Sequence, residues 1–358
     1  MRSILVFIAL LFVTACSQRP GDNVLVPYVD IGDDAEIIRL FVVSSRTPTE
    51  YGYNASFDFA TGYRYYDISV PPERTEGSIK WPNLDPDPVT DFLVVDTGTL
   101  TREEFLRQVH RDNLGDGEVG VFVHGFNQRF QEALFRVAQL NADSDSDTVA
   151  SVLFSWPSEG NPLGYETDAQ GVLFSRDPLA DLLTDLHNTG LRTVVFAHSM
   201  GGWLTVEALR ILKLAGRQDV LDGLEVILAA PDVDTFVFGR AMDLIGPMKT
   251  PIAVLVSRKD RALDLAARLA GGRPKLGSVD VTDPAVAEAA QLAHVQLIDI
   301  SSVDFDPLGH SGYIGVAQHY SELQQADSGR GDFASTGAFV FNAFENAVIQ
   351  PVSGAFYR

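Results

Sequence analysis

The sequence predicts an α/β protein whose mostly parallel sheet carries helices on both faces, behind an antiparallel strand region at the N-terminal side. From residue 118 onward, short apolar runs alternate with amphipathic runs at helical spacing. Before residue 118, strand-like runs are separated by stretches rich in Pro, Asn, Asp and Gly. The chain has 358 residues, of which 46% are hydrophobic, so it can fill a large core.

The first fifteen residues are predicted to be an export signal. Arg2 supplies the positive start, and residues 4–13 form an apolar run that is shorter than the roughly 20 residues needed to span a bilayer. The run leads into Val13-Thr14-Ala15-Cys16, which resembles the lipobox of bacterial lipoproteins. This resemblance implies that Cys16 is lipidated and becomes the mature N-terminus. The alternative is an ordinary secretory signal with an incidental cysteine.

Residues 16–35 are expected to be a tether to the membrane, because they are polar and contain Gly and Pro. Cys16 is the only cysteine, so lipidation would leave no thiol for a disulfide. The expected location is the bacterial cell envelope, at the outer membrane or the periplasmic face. A formal net charge of −21 and a pI near 4.6 make nucleic acid an improbable partner. The sequence leaves the oligomeric state open.

The predicted elements follow in order from residue 36. The antiparallel start has strand runs at Ile37–Ser44, Tyr63–Val70 and Phe92–Val95. A helix is predicted over Thr101–Asp112, since Thr101 and Glu104 form the capping-box pattern. In the alternating region, strands are predicted at 119–123, 148–154, 193–197, 225–229, 252–256 and 295–300, and helices near 128–141, 176–187, 200–215, 236–245, 261–270 and 311–325. The domain is predicted to cover residues 36–326, and the tail 327–358 is left unassigned.

The most informative segment is 194–203, in which an apolar run stops at Ser199 and an amphipathic run begins. This pattern indicates a nucleophile elbow, a strained strand-to-helix turn that needs small residues two before and two after the serine. Ala197 and Gly201 meet that need. Ser199 is therefore the candidate nucleophile.

A serine hydroxyl needs a histidine base, and the histidine needs a carboxylate to hold its tautomer. Ligands gather at the carboxyl ends of parallel strands, and His310 lies in a Gly-flanked loop after the last predicted strand. His198, beside the serine, is expected to point away from the elbow and to be structural. Asp260 follows the strand at 252–256 and is the favoured acid, although it could simply cap the next helix.

Asp232 and Asp234 follow the strand at 225–229 and are the alternative acids. If Asp260 serves, they are turn formers or pocket residues, and we assign Asp232 to the pocket. Either choice gives the chain order Ser, Asp, His. Trp156 and residues 160–170 follow another strand end and are predicted to line or cover the pocket, with core packing as the alternative for Trp156.

An oxyanion needs N–H donors that are already in place. The amide of Met200 is predicted at a helix N-terminus, and the amide of Phe126 lies in the loop after a strand that ends in His124-Gly125. For His124 we expect a structural role in holding this loop. No P-loop, H-E-x-x-H or C-x-x-C pattern occurs, so neither a cofactor nor a metal is expected.

Five segments together resemble a bacterial α/β-hydrolase family of undefined substrate, labelled DUF900 or the esterase/lipase superfamily. They are Val123-His124-Gly125-Phe126-Asn127, Leu153-Phe154-Ser155-Trp156-Pro157-Ser158, Ala197-His198-Ser199-Met200-Gly201, Ala230-Pro231-Asp232 and Asp260-Arg261-Ala262-Leu263. The resemblance covers residues 37–315. It implies the α/β-hydrolase fold with Ser199, Asp260 and His310 as a catalytic triad, and it implies no defined substrate.

The favoured function is hydrolysis of small carboxylic esters through an acyl-enzyme, by a protein anchored in the cell envelope through its lipidated N-terminus. Amide or thioester cleavage uses the same triad and cannot be separated by sequence. A third possibility is an envelope protein that keeps the fold as a non-catalytic binding module.

Overall fold

The computed structural model describes residues 19–32, 35–82, 85–113, 115, 117–144, 151–269, 271–303, 306, 308–317 and 340–342. The strands are β1 (Glu36–Pro48), β2 (Tyr53–Val70), β3 (Leu93–Leu100), β4 (Glu118–Val123), β5 (Val152–Ser155), β6 (Arg192–His198), β7 (Leu224–Ala229), β8 (Ile252–Val256), β9 (Val295–Asp299) and β10 (Val340–Asn342). The α-helices are α1 (Arg102–Asp112), α2 (Phe130–Ala142), α3 (Tyr165–Asn188), α4 (Met200–Leu214), α5 (Gln218–Asp222), α6 (Thr235–Ile245), α7 (Arg261–Leu269), α8 (Pro284–Leu292) and α9 (Tyr313–Ala317).

These strands form one mixed sheet in the order β10-β9-β8-β7-β6-β4-β5-β1-β2-β3. The pairs from β10 to β1 are parallel, and β1–β2 and β2–β3 are antiparallel. The parallel strands read as continuous apolar runs because both of their faces are covered, and β4 and β5 are buried along their whole lengths. The predicted mostly parallel sheet with an antiparallel N-terminal region is confirmed.

The carboxyl ends of the central strands meet at one edge because their registers are aligned. Val123 of β4 pairs with Ala197 of β6, and His198 of β6 pairs with Ala229 of β7. Loops that follow these strands therefore converge on a common region.

Most predicted helices are present, with one difference in extent and two additional helices. Helix α3 begins eleven residues before its predicted start, because the polar stretch that begins at Tyr165 continues the same helix. Helices α5 and α8 were not predicted, since each is short and follows a neighbouring element closely. The capping box of α1 forms as expected: the Thr101 hydroxyl accepts from the Glu104 amide, and the Glu104 carboxylate accepts from the Thr101 amide. The part of the predicted helix near 311–325 that follows residue 317, and residues 148–150 of the predicted strand 148–154, lie outside the described residues.

The segment predicted as a tether departs from that prediction between residues 19 and 25. A 3-10 helix spans Asp22–Leu25, and Val24 and Leu25 are buried in the core. Leu25 packs beside Gly52 and Phe130, close enough that a Cβ on Gly52 would overlap its side chain. Two buried apolar residues within a polar stretch are a weak sequence signal. No helix in the described ranges is long and apolar enough to cross a membrane.

This packing predicts that Leu25→Ala destabilises the whole domain. Removing a leucine that is 2% exposed leaves a cavity, and we expect a loss of about 2–5 kcal/mol in the free energy of unfolding. Urea unfolding followed by circular dichroism measures it. The matched control is Leu292→Ala, at a leucine that is 75% exposed, for which we expect a change within about 0.5 kcal/mol. Equal effects of the two substitutions would show that residues 19–25 do not pack on the body.

Candidate active site

Ser199 occupies the strained turn between β6 and α4. Its φ of 54° and ψ of −122° lie in a region that non-glycine residues rarely adopt. Backbone hydrogen bonds hold the turn in place: the Ser199 amide donates to Ala229, and the Asp232 amide donates to the Ser199 carbonyl. Ser199 thus has the backbone geometry expected of a nucleophile elbow.

Close packing explains the small residue two positions after the serine. A Cβ on Gly201 would lie 2.4 Å from the carbonyl oxygen of His124 and 2.5 Å from that of Val123. Both atoms are backbone at the end of β4, so neither can move aside easily. A side chain at position 201 would push α4 away from the sheet and change the turn at Ser199.

His310 and Asp260 are brought together from two loops at this edge. The Nδ1 of His310 lies 2.7 Å from Oδ2 of Asp260, and the Asp260 side chain is fully buried. An ionised carboxylate only accepts, so Nδ1 carries the proton and Nε2 keeps its lone pair. This is the tautomer that a general base needs.

Asp260 also caps a helix, as the sequence allowed. Its Oδ1 accepts from the amide of Leu263 at 2.9 Å, at the start of α7, while Oδ2 faces His310. The two functions are therefore not alternatives, because each uses a different oxygen. The cap fixes the rotamer of the carboxylate that orients the imidazole.

The loop that carries His310 is shaped by Asp306 and Gly309. The Asp306 carboxylate accepts from the amides of Leu308 and Ser311, at 2.8 and 2.6 Å. Gly309 has a φ of 67°, and a Cβ there would lie 2.8 Å from the carbonyl oxygen of Lys259. A glycine at this position lets the loop approach the one that carries Asp260.

Ser199 and His310 line the same cavity, which has a volume of about 480 Å³. This volume suits a small-molecule ligand. The exposed surface of the walls is largely apolar and includes Ile79, Trp81, Phe126, Leu263 and Leu265. Within the described residues, no group of three or more His, Cys, Asp and Glu side chains could hold a metal ion.

The two predicted oxyanion donors belong to segments that lie next to Ser199. Met200 is the first residue of α4, so its amide is one of the unpaired N–H groups of a helix N-terminus. Phe126 lies in the loop after β4, and its ring lines the cavity. We call residues 124–128 the donor loop. Gly125 in this loop has room for no side chain, since a Cβ would lie 3.0 Å from the Ser199 Cβ.

A buried network of polar side chains holds the donor loop in position. The Arg46 guanidinium donates to Nε2 of His124 at 3.2 Å and to the carbonyl of Gln128 at 3.0 Å. Because arginine only donates, His124 Nε2 accepts, and its Nδ1–H donates to the Gly125 carbonyl at 2.9 Å. Burial and the Arg46 charge lower the pKa of His124 to about 3, so the ring stays neutral.

Asp168 completes this network from α3. Its carboxylate accepts from the Ser158 hydroxyl and from the amides of Asn127 and Glu159, at 2.5, 3.1 and 2.8 Å. Desolvation raises the pKa of Asp168, and burial lowers that of Arg46 to about 9. Sequence reasoning missed both residues. The available signals were an arginine directly after an apolar strand run and an aspartate in the stretch predicted to cover the pocket.

Trp156 lies elsewhere than the predicted pocket position. Its side chain is fully buried in the core, stacked on His124 with ring centroids 5.0 Å apart, and it is absent from the cavity wall. Its indole N–H donates to the His124 carbonyl at 2.7 Å. Trp156 therefore supports the donor loop from the core, which is the alternative that the sequence left open.

Asp232 lines the cavity, as predicted for a pocket residue, and forms a buried ion pair there. Its Oδ1 lies 2.6 Å from Nζ of Lys275 and 3.1 Å from the hydroxyl of Tyr165, which also accepts from Lys275 at 3.0 Å. Asp232 is thus committed to Lys275, whereas Asp260 is committed to His310. Lys275 and Tyr165 were not predicted, since residues from distant loops meet here without a local pattern.

His198 contacts the candidate base, contrary to the expectation that it points away from the elbow. Its ring lies 4.7 Å from that of His310 and 4.3 Å from that of Tyr313, and its Nε2 donates to the His310 carbonyl at 3.3 Å. The side chain lines the cavity. Burial and the neighbouring His310 hold the pKa of His198 well below its usual value. A neutral His198 therefore supports the loop of His310.

A family model described as "Alpha/beta hydrolase of unknown function (DUF900)" matches residues 99–325. The chain belongs to this family. The family and the sheet topology together establish the α/β-hydrolase fold. No curated protein matches the chain.

Solved structures of two esterases resemble this α/β hydrolase weakly. A fungal esterase from Rhizomucor miehei is 12% identical, with 82% of this chain and 85% of that chain covered and a TM-score of 0.34. An esterase from Pyrobaculum calidifontis is 10% identical, with 84% and 88% covered and a TM-score of 0.32. Likenesses at these TM-scores carry no argument about the site.

The two buried neutral histidines predict a loss of stability as the pH falls. His124 and His198 stay unprotonated in the folded state, but the unfolded chain takes up a proton on each near its ordinary pKa of about 6.5. The folded protein is therefore stabilised above that pH and loses the stabilisation below it. Each histidine contributes about 1.4 kcal/mol between pH 7.5 and 5.5, or about 3 kcal/mol together.

Urea unfolding at pH 7.5 and pH 5.5 measures this difference. The matched variant is His198→Gln, which removes one of the two titrating groups. It should halve the loss of unfolding free energy between pH 7.5 and pH 5.5. A wild-type unfolding free energy that is equal at the two pH values would contradict the neutral state of both rings.

Proposed function

We propose that this α/β hydrolase cleaves carboxylic esters through an acyl-enzyme, with Ser199 as nucleophile, His310 as general base and Asp260 as the group that orients it. The observation that carries the proposal is the 2.7 Å hydrogen bond between Asp260 and His310 at the wall of the cavity that Ser199 also lines. The strained backbone of Ser199 supports it further, since such strain persists at functional sites. We also propose that Cys16 is lipidated and anchors the protein in the bacterial cell envelope.

In the proposed reaction, Ser199 Oγ attacks the ester carbonyl carbon while its proton passes to Nε2 of His310. The carbonyl oxygen becomes an oxyanion that the amides of Met200 and Phe126 stabilise, each contributing on the order of 3 kcal/mol. The intermediate collapses, the C–O bond to the alcohol breaks, and the alcohol leaves with the proton from His310. Water, deprotonated by His310, then attacks the acyl-enzyme by the same route and releases the carboxylic acid.

Replacing the nucleophile tests the proposal directly. Ser199→Ala should abolish labelling by a fluorophosphonate probe and lower the turnover of p-nitrophenyl butyrate by about 10³-fold or more. The matched control is Ser69→Ala, which removes a buried hydroxyl in β2 and should leave both readouts unchanged. Wild-type protein that takes no label while folded would favour the non-catalytic binding module.

The two aspartates at the cavity can be separated by their partners. Asp260→Asn should lower kcat about 10⁴-fold, because the amide can no longer select the Nδ1–H tautomer of His310. Asp232→Asn leaves that hydrogen bond intact, and we expect the rate of probe labelling to stay within about tenfold of the wild type. Asp260 contacts the imidazole of His310, whereas Asp232 contacts Lys275. A larger effect from Asp232→Asn would therefore assign the acid to Asp232, in the loop after β7.

A further inference from the structure

We propose that the catalytic cavity opens onto the membrane that holds the lipid anchor, and that its substrate is an ester lipid drawn from that membrane. This inference rests on the proposed function and on lipidation of Cys16.

All three guanidinium nitrogens of Arg19 donate hydrogen bonds to residues at the mouth of the cavity. Its Nε donates to Glu132 at 2.7 Å, and its two terminal nitrogens donate to the Asn127 carbonyl at 2.6 Å, to Asn127 Oδ1 at 2.9 Å and to the Gly160 carbonyl at 2.5 Å. A further hydrogen bond joins Arg19 to Glu132. Arg19 lines the same cavity as Ser199 and His310. The chain therefore enters the domain at the active site.

The residues after Arg19 hold this part of the chain against the domain. The Pro20 carbonyl accepts from Gln131 Nε2 at 2.8 Å and from Arg129 at 3.3 Å, and Val24 and Leu25 are buried in the core. Residue 19 is thus a fixed point on the domain surface and not part of a free tether.

Covalent geometry then limits the distance from the cavity to the anchor. Three peptide units separate Cys16 from Arg19, and fully extended they reach about 11 Å. An acylated residue 16 places its chains below the lipid headgroups. The cavity mouth must therefore lie within about one headgroup layer of the bilayer, whichever way those three units run.

The mouth itself exposes apolar side chains. Leu265 and Leu308 line the cavity and are nevertheless 59% and 54% exposed, and Leu163, next to the lining residue Pro162, is 90% exposed. Exposed leucines at a cavity that also has apolar lining residues suit contact with acyl chains. These features favour an ester lipid, which would be cleaved to a fatty acid and the remaining alcohol.

The first test measures orientation and needs no activity. The full lipidated protein is reconstituted in dioleoylphosphatidylcholine vesicles that contain a spin-labelled lipid quencher. A single thiol is introduced by Leu265→Cys at the mouth or, as the matched control, by Leu214→Cys, and is labelled with a nitrobenzoxadiazole fluorophore. Leu214 is 66% exposed and ends α4, about 20 Å from Ser199 by helix rise.

We expect the lipid quencher to reduce the emission of the label at residue 265 at least threefold more than that at residue 214. Equal quenching at the two positions would overturn the proposal, because the mouth would then not face the bilayer. A wild-type protein that does not sediment with the vesicles would overturn it as well, since the anchor would be missing.

The second test measures access to substrate. Forty Gly/Ser residues inserted after Gln18 leave the lipidation segment and Arg19 intact but lengthen the connection by about 35 Å. We expect the turnover of p-nitrophenyl palmitate embedded in the vesicles to fall at least fivefold. The turnover of soluble p-nitrophenyl acetate should stay within twofold, which controls for damage to the catalytic groups.

An unchanged rate on the embedded ester would overturn the proposed route to the substrate. Failure of the esterase proposal gives a different result, since neither ester would then be hydrolysed and Ser199 would take no fluorophosphonate. In that case the quenching of the two labels still decides whether the cavity faces the membrane.

Discussion

The strained turn at Ser199 is the constraint on which the rest of the site depends. A φ of 54° at a serine is unfavourable by itself, and here the sheet maintains it. The register of β4, β6 and β7 brings the Ala229 carbonyl to the Ser199 amide and the end of β4 against Gly201. Loss of one of these contacts would let the turn relax toward an ordinary helix start. The core therefore determines the geometry of this turn, because it fixes the three strand ends.

Buried charged side chains around the cavity hold nearby loops in position. Their burial lowers the stability of the fold. The Lys275–Asp232 pair and the Arg46 side chain are nearly inaccessible to water, and transferring such groups out of water is unfavourable unless every partner is in place. Both sets of charges end on the loops that flank Ser199. We interpret them as groups that select one loop conformation, since apolar residues could fill the same volume but could not form the hydrogen bonds of Arg46 to backbone carbonyls or of Lys275 to Asp232 and Tyr165.

Local patterns predicted much of this fold. The alternation of apolar and amphipathic runs predicted the sheet, the small residues around Ser199 predicted the elbow, and polar residues after strand ends predicted the facing pair of His310 and Asp260. The capping box at Thr101 was predictable because its two residues lie three positions apart in the chain. The contacts of Lys275, Asp168 and Arg19 were not, since each joins segments far apart in the chain. Trp156 shows the limit of the strand-end rule: it follows β5 directly, yet its ring turns into the core to stack on His124. A residue that directly follows a strand can be placed at the edge of the sheet. The direction in which its side chain points cannot be predicted from that position.

Two separate parts of the molecule hold Asn127 in place, one on α3 and one in the segment that begins at Arg19. Its φ of 58° is itself strained. Asp168 accepts from its amide, while Arg19 donates to its carbonyl and to its side chain. Asn127 directly follows Phe126, whose amide is the proposed oxyanion donor. The donor loop is thus held between a buried carboxylate on α3 and the first residue of the docked N-terminal segment.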